Sequence, residues 1–203
     1  DRTPTRPAIS SKLGWSAAQA TGAPDTLEAR DLPTAWASAA PDGGLEWLQL
    51  GFARAVTIQQ VRVRETLNPG AIYRIAAVQR DGQETLLWQG TEPAASAPVE
   101  MEFNPLQPVK ADHLRVYLDT TRVAGWNEID AVEILGTDGS RQWATTASAS
   151  SSFGERPSQP SLLLESTRRS GRLVPAKEAV VDLNGGAETA PGQPSMDVFL
   201  APP

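Results

Sequence analysis

From Glu46 to Leu135 the chain is a succession of short apolar runs separated by turn residues, and no stretch carries helical periodicity for long. This pattern constrains the fold more than any other feature, because period-two runs of this length pair as antiparallel strands. The runs predict strands over Glu46–Phe52, Val56–Thr66, Ile72–Gln79, Thr85–Gln89, Val99–Phe103, His113–Asp119 and Glu128–Leu135. Leu48, Leu50 and Phe52 fall on one face of the first, with Gln49 on the other. In the sixth, Leu114, Val116 and Leu118 alternate with Arg115, Tyr117 and Asp119. One face therefore packs while the other stays wet, as in a two-sheet sandwich. Asn68-Pro69-Gly70, Asp81-Gly82 and Gly125 supply the turns between runs. The expected fold is an all-β antiparallel sandwich.

The flanks differ in character. Residues 1–14 are expected to be an extended lead-in, 15–136 the sandwich, and 137–203 a Ser/Pro/Gly-rich extension that docks extra strands on it or wraps a partner. Within 15–136, Ser16–Ala20 is expected to form one helical turn with Ser16 as N-cap, ended by Gly22-Ala23-Pro24-Asp25. In the extension, Ser161–Leu164 and Ala179–Leu183 are the apolar runs long enough for strands. Thr145–Gly154 echoes Thr5–Gly14, but the echo rests on small residues and chance accounts for it.

Composition removes several function classes. A net charge of −6, with no Lys/Arg run larger than Arg168-Arg169 and nearby Arg172, opposes nucleic acid and anionic membrane surfaces. With no cysteine there are no disulfides, thiolate metal sites or thiol nucleophiles. No segment is apolar enough for a membrane-spanning helix. A first residue of Asp1 fits either a processed N-terminus or a trimmed chain. The single histidine, His113 beside Asp112, has no G-x-S-x-G nucleophile to serve and no second histidine for zinc. Glu65 and Glu128 could meet as a carboxylate pair, yet nothing in their spacing argues for glycoside hydrolysis. The expectation is a binding module, not an enzyme.

Four ordered stretches carry a family resemblance: Trp15–Thr26 (WSAAQATGAPDT), Ala35–Phe52 (AWASAAPDGGLEWLQLGF), Val61–Ile75 (VRVRETLNPGAIYRI) and Leu114–Gly136 (LRVYLDTTRVAGWNEIDAVEILG). Across residues 8–136 the chain resembles the discoidin, or galactose-binding-like, superfamily. RETLNPGAIYRI and WNEIDAVEILG are similar to a subtype found in pappalysin-like secreted proteases, a mitochondrial F-box protein and bacterial surface proteins. The resemblance implies a jelly roll of two antiparallel sheets and a secreted, periplasmic or cell-surface location. It leaves the ligand open, since the superfamily hosts sugar, lipid and protein binders.

The candidate ligand-binding residues are Trp36, Asn68, Trp126, Asn127 and Glu128. Trp126 stands beside Asn127 and Glu128, a set in which a ring stacks on the C–H face of a sugar while polar groups take its hydroxyls. The plainer alternative is that Trp126 caps the open end of the sandwich. Trp36 has the same two readings, whereas Trp47 and Trp88 lie within strands and are structural. Asn68 in Glu65–Gly70 is a rim residue on one reading and a turn former on the other, and turn chemistry suffices to explain it. The ligand is then carbohydrate, with a protein partner or a purely structural spacer role as alternatives.

The resemblance also raises calcium, held in related modules by an Asp-containing loop after the first short helix and a Glu in the last strand. Asp25 and Thr26, with the carbonyls of Ala23–Thr26, are the candidate ligands here. The family's Glu position falls on Ala131 and the loop lacks the usual Asp-Gly pair, which weighs against the ion.

Overall fold

The computed structural model describes residues 12–155. These form an all-β antiparallel sandwich: β1 (Trp36–Ala37), β2 (Leu45–Leu67), β3 (Ile72–Val78), β4 (Glu84–Gln89), β5 (Val99–Phe103), β6 (Val109–Asp119), β7 (Glu128–Gly136), β8 (Arg141–Trp143) and β9 (Thr146–Ala149). Ser161–Leu164 and Ala179–Leu183 lie outside the described residues.

The architecture turns on β2. Glu46–Phe52 and Val56–Thr66, expected as two strands, are one element of 23 residues, because Ala53-Arg54-Ala55 offers no turn chemistry. Its register against β6 slips between Gly51 and Val56, and a bulge of this kind bends a strand. The two halves consequently join different layers. Leu45–Gly51 lies between β6 and β9, and β6 continues to β3 and β4. The half from Val61 onward lies between β5 and β7, with β1 and β8 on the far edge of β7. At the bend Gly51 is required by space: a Cβ there would collide with the Thr146 hydroxyl on β9 and crowd the His113 ring.

The inward faces follow the alternation in the sequence. Leu114, Val116 and Leu118 are buried while Arg115, Tyr117 and Asp119 are half-exposed. They meet Val61, Val63, Val132 and Ile134 of the other layer in one apolar cluster. Trp88 closes one side of it, edge-on to Phe103 at 4.7 Å. On the solvent face, Glu84 accepts from Arg74 (2.8 Å), Arg115 (2.8 Å) and Tyr117 (2.5 Å), and Arg115 lies 4.7 Å over Trp47.

Residues beyond Gly136 contribute to the sandwich. Both β8 and β9 pair within it, and Trp36, 1% exposed, sends its indole N–H to the Ser151 carbonyl (3.1 Å) and the Ser152 hydroxyl (3.2 Å). The helical turn is a 3-10 turn, Ala17–Ala20, preceded by Ser16, whose buried hydroxyl makes no capping bond.

Candidate functional site

At one end of the sandwich the polypeptide brings three aromatic rings together from distant parts of the chain. Trp15 sits at a left-handed backbone position (φ 54°) and is tied by its N–H to the Pro33 carbonyl at 3.1 Å. Trp126 follows the Gly125 turn and donates its indole N–H to the Ser38 carbonyl at 3.1 Å. Phe153 is fixed through its backbone N–H to the Ala37 carbonyl at 2.9 Å. Its ring meets Trp15 edge-on at 5.5 Å and Trp126 edge-on at 5.6 Å, both favoured geometries for aromatic quadrupoles. With Ala37 and Asp31 these rings line an open notch of about 120 Å³. Asp31 is exposed at its rim and accepts the Trp15 indole N–H at 2.8 Å.

Of the residues expected to bind ligand, Trp126 alone lines this notch. Trp36 is enclosed beneath it, holding Ser151 and Ser152 and so placing Phe153. Asn68 occupies a left-handed turn position (φ 44°) and donates to the Trp126 carbonyl at 3.0 Å. Asn127 is 2% exposed and donates to the Asn68 carbonyl at 2.5 Å, which locks the two loops together. Glu128 is fully buried. Of these four side chains, Asn68 holds the Trp126 carbonyl directly and Asn127 ties its loop to Asn68. Trp15 and Phe153 were not among the candidates. Trp15 opens the first motif of the resemblance, but Phe153 lies in a Ser-rich run that carries no signal of its position.

Beneath the notch lie acids with few partners. Glu128 accepts a 3.4 Å bond from the Thr66 hydroxyl, and its other oxygen has no donor. Burial, followed by the hydrogen bond and charge of Asp31, pushes its pKa up to about 8. Glu65 is likewise buried without a donor, and burial next to Glu92 raises it well above the ordinary range. Glu92 anchors the start of β3, accepting from the Ile72 N–H at 2.8 Å. Glu133, by contrast, is gripped on β7 by both arms of Arg141 at 2.8 Å.

The loop proposed for calcium is organised by an acid on β7. Asp130 accepts from the N–H groups of Asp25 and Thr26, each at 3.2 Å, and from the Thr26 hydroxyl at 3.1 Å. Burial lifts it to about 6, offset in part by these donors. Ala131 is the position that counting from Gly136 selects, but Asp130 is the residue that reaches the loop. The reason is a bulge: Arg64 pairs with Ala131 and Glu65 with Ile129, leaving Asp130 unpaired and re-aimed. The loop thus turns N–H donors toward this carboxylate, where a cation would need oxygens. Among the described residues no three His, Cys, Asp or Glu side chains converge as a metal set. Nor is any described helix long and apolar enough to cross a membrane.

A family match covers the notch residues Trp15, Asp31, Ala37 and Trp126 and stops one residue short of Phe153. The family model described as "Pappalysin-1, SD scarf domain, C-terminal" matches residues 4–152. The chain belongs to this family. The matched region runs through β9 to Ser152, so it includes the indole contact that closes the sandwich. The scarf domain is a non-catalytic, C-terminal part of the protease that gives the family its name. No curated protein matches the chain.

Proposed function

We propose that this scarf domain is a non-catalytic recognition module of an exported or cell-surface bacterial protein, and that it takes carbohydrate in the Trp15–Trp126–Phe153 notch. The observation that carries the reading is the notch itself: aromatic surface from three separate segments, held open, with a carboxylate at the rim. Aromatic faces stack on the C–H surfaces of a pyranose, and Asp31 accepts hydroxyl protons. The pocket is small beside the ~300–1,000 Å³ of sites that engulf a ligand. It suits one terminal residue of a glycan rather than a chain.

A protein partner is the second reading. It is favoured by Leu27 and Leu45, which stand 78% and 72% exposed, and by the family's place as an accessory domain of a larger protein. A glycan array run with the wild-type domain and Trp126→Ala separates the two. Binding to at least one glycan, lost in the variant, supports carbohydrate recognition. A blank array, or binding that Trp126→Ala leaves intact, overturns it.

A further inference from the structure

We infer that the notch selects a ligand group carrying a cationic nitrogen on apolar carbon, an alkylammonium; this rests on the notch being the ligand site. The chemistry of its walls is one-sided. Its polar lining side chain of full charge is the Asp31 carboxylate, and among the described residues no lysine, arginine or histidine lines it. Both indole N–H groups are already spent, that of Trp15 on Asp31 and that of Trp126 on the Ser38 carbonyl. The notch therefore offers aromatic surface with no free indole donor beside a carboxylate, a lining that disfavours carboxylates and phosphates and suits a cation.

The charge of Asp31 is also unanswered. Among the described residues it has no cationic partner within salt-bridge distance. The nearest basic side chain in sequence, Arg30, is turned to Glu28 at 3.2 Å. Lys12 spends its ammonium on the Thr21 carbonyl at 2.7 Å. Behind Asp31 lies another acid, Glu128, fully buried and without a basic neighbour. A ligand ammonium would supply the missing counter-charge and stack its methyl or methylene groups on Trp15, Trp126 and Phe153. The cavity, about 120 Å³, is the size for such a head group.

Two sources share this chemistry, a quaternary amine and an amino sugar, and paired neutral isosteres separate charge from shape. Choline would be titrated against 3,3-dimethylbutan-1-ol, and glucosamine against glucose, following tryptophan fluorescence and the indole N–H resonances. Each titration would be repeated with Asp31→Asn, which retains an acceptor for the Trp15 N–H. The expected result is at least ~10-fold tighter binding of one ammonium than of its neutral isostere, shrinking to about 2-fold or less in Asp31→Asn. Choline or glucosamine as the responding member identifies the source. Equal binding of charged and neutral members, or a preference that survives Asp31→Asn, overturns the inference. If a glycan perturbs Trp126 while neither ammonium does, the notch stands and its cation selectivity falls. If no probe perturbs Trp15 or Trp126, both fail.

Discussion

Replacing Glu128 with glutamine should make the domain more stable at alkaline pH while leaving it nearly unchanged at pH 5. The carboxyl is fully buried beneath the notch and raised from 4.5 to about 8, by burial first and by Asp31 second. A group whose folded pKa lies above its unfolded value binds an extra proton in the folded state between those values. Its contribution is fully present below pH 4.5 and lost as pH rises toward 8. At about 1.4 kcal/mol per unit the shift corresponds to a ceiling of roughly 5 kcal/mol. Asp31 is exposed and its field is screened, so a loss of about 2–4 kcal/mol is expected. The amide of Glu128→Gln cannot ionise and retains an oxygen for the Thr66 hydroxyl. Urea unfolding followed by tryptophan fluorescence at pH 5, 7 and 9 would measure the effect. The wild-type midpoint should fall across this range, and that of Glu128→Gln should fall much less, with Glu65 and Asp130 accounting for the remainder. Parallel declines in the two proteins would refute the reasoning.

Three further outcomes are expected. Trp36→Phe removes the donor to Ser151 and Ser152 inside a filled site and should cost about 2–3 kcal/mol in urea unfolding; a change under ~0.5 kcal/mol would show that those bonds carry no weight. Gly154→Ala drives a Cβ into the Gly14 carbonyl, backbone against backbone, and should cost about 2 kcal/mol or more while displacing Phe153; unaltered stability and ligand response would contradict this packing. Removing divalent ions with a chelator should leave the melting midpoint in place, because Asp130 already serves the loop at Asp25 and Thr26; a midpoint lowered by chelator and restored by calcium would show a structural ion there.

The sandwich was legible in the chain because alternation survives wherever one strand face is buried. Leu114–Asp119 shows this residue by residue. The fusion of Glu46–Phe52 with Val56–Thr66 was not, since a bend inside a continuous strand leaves no turn residue behind. Strands β8 and β9 escaped for another reason: Arg141–Trp143 and Thr146–Ala149 are only three and four residues long, and neither carries an apolar run that marks a strand. The proposed notch was half legible. Trp126 could be found from its neighbours, but Trp15 and Phe153 reach it through backbone bonds to Pro33 and Ala37, which no local pattern encodes. Trp36, Asn127 and Glu128 have the composition of a sugar site and the burial of a support. The bulge at Asp130 likewise defeats any count along β7.

The most direct test of the account uses the six tryptophans as reporters. Each has one indole N–H, and all can be followed in a single nitrogen–proton correlation spectrum as a glycan bound on the array, or the responding ammonium, is added. The account predicts that the Trp15 and Trp126 resonances move together and saturably, while those of Trp36, Trp47, Trp88 and Trp143 stay in place. Saturable movement at Trp47 with Trp15 and Trp126 unmoved would put recognition on the sheet face instead and contradict the notch.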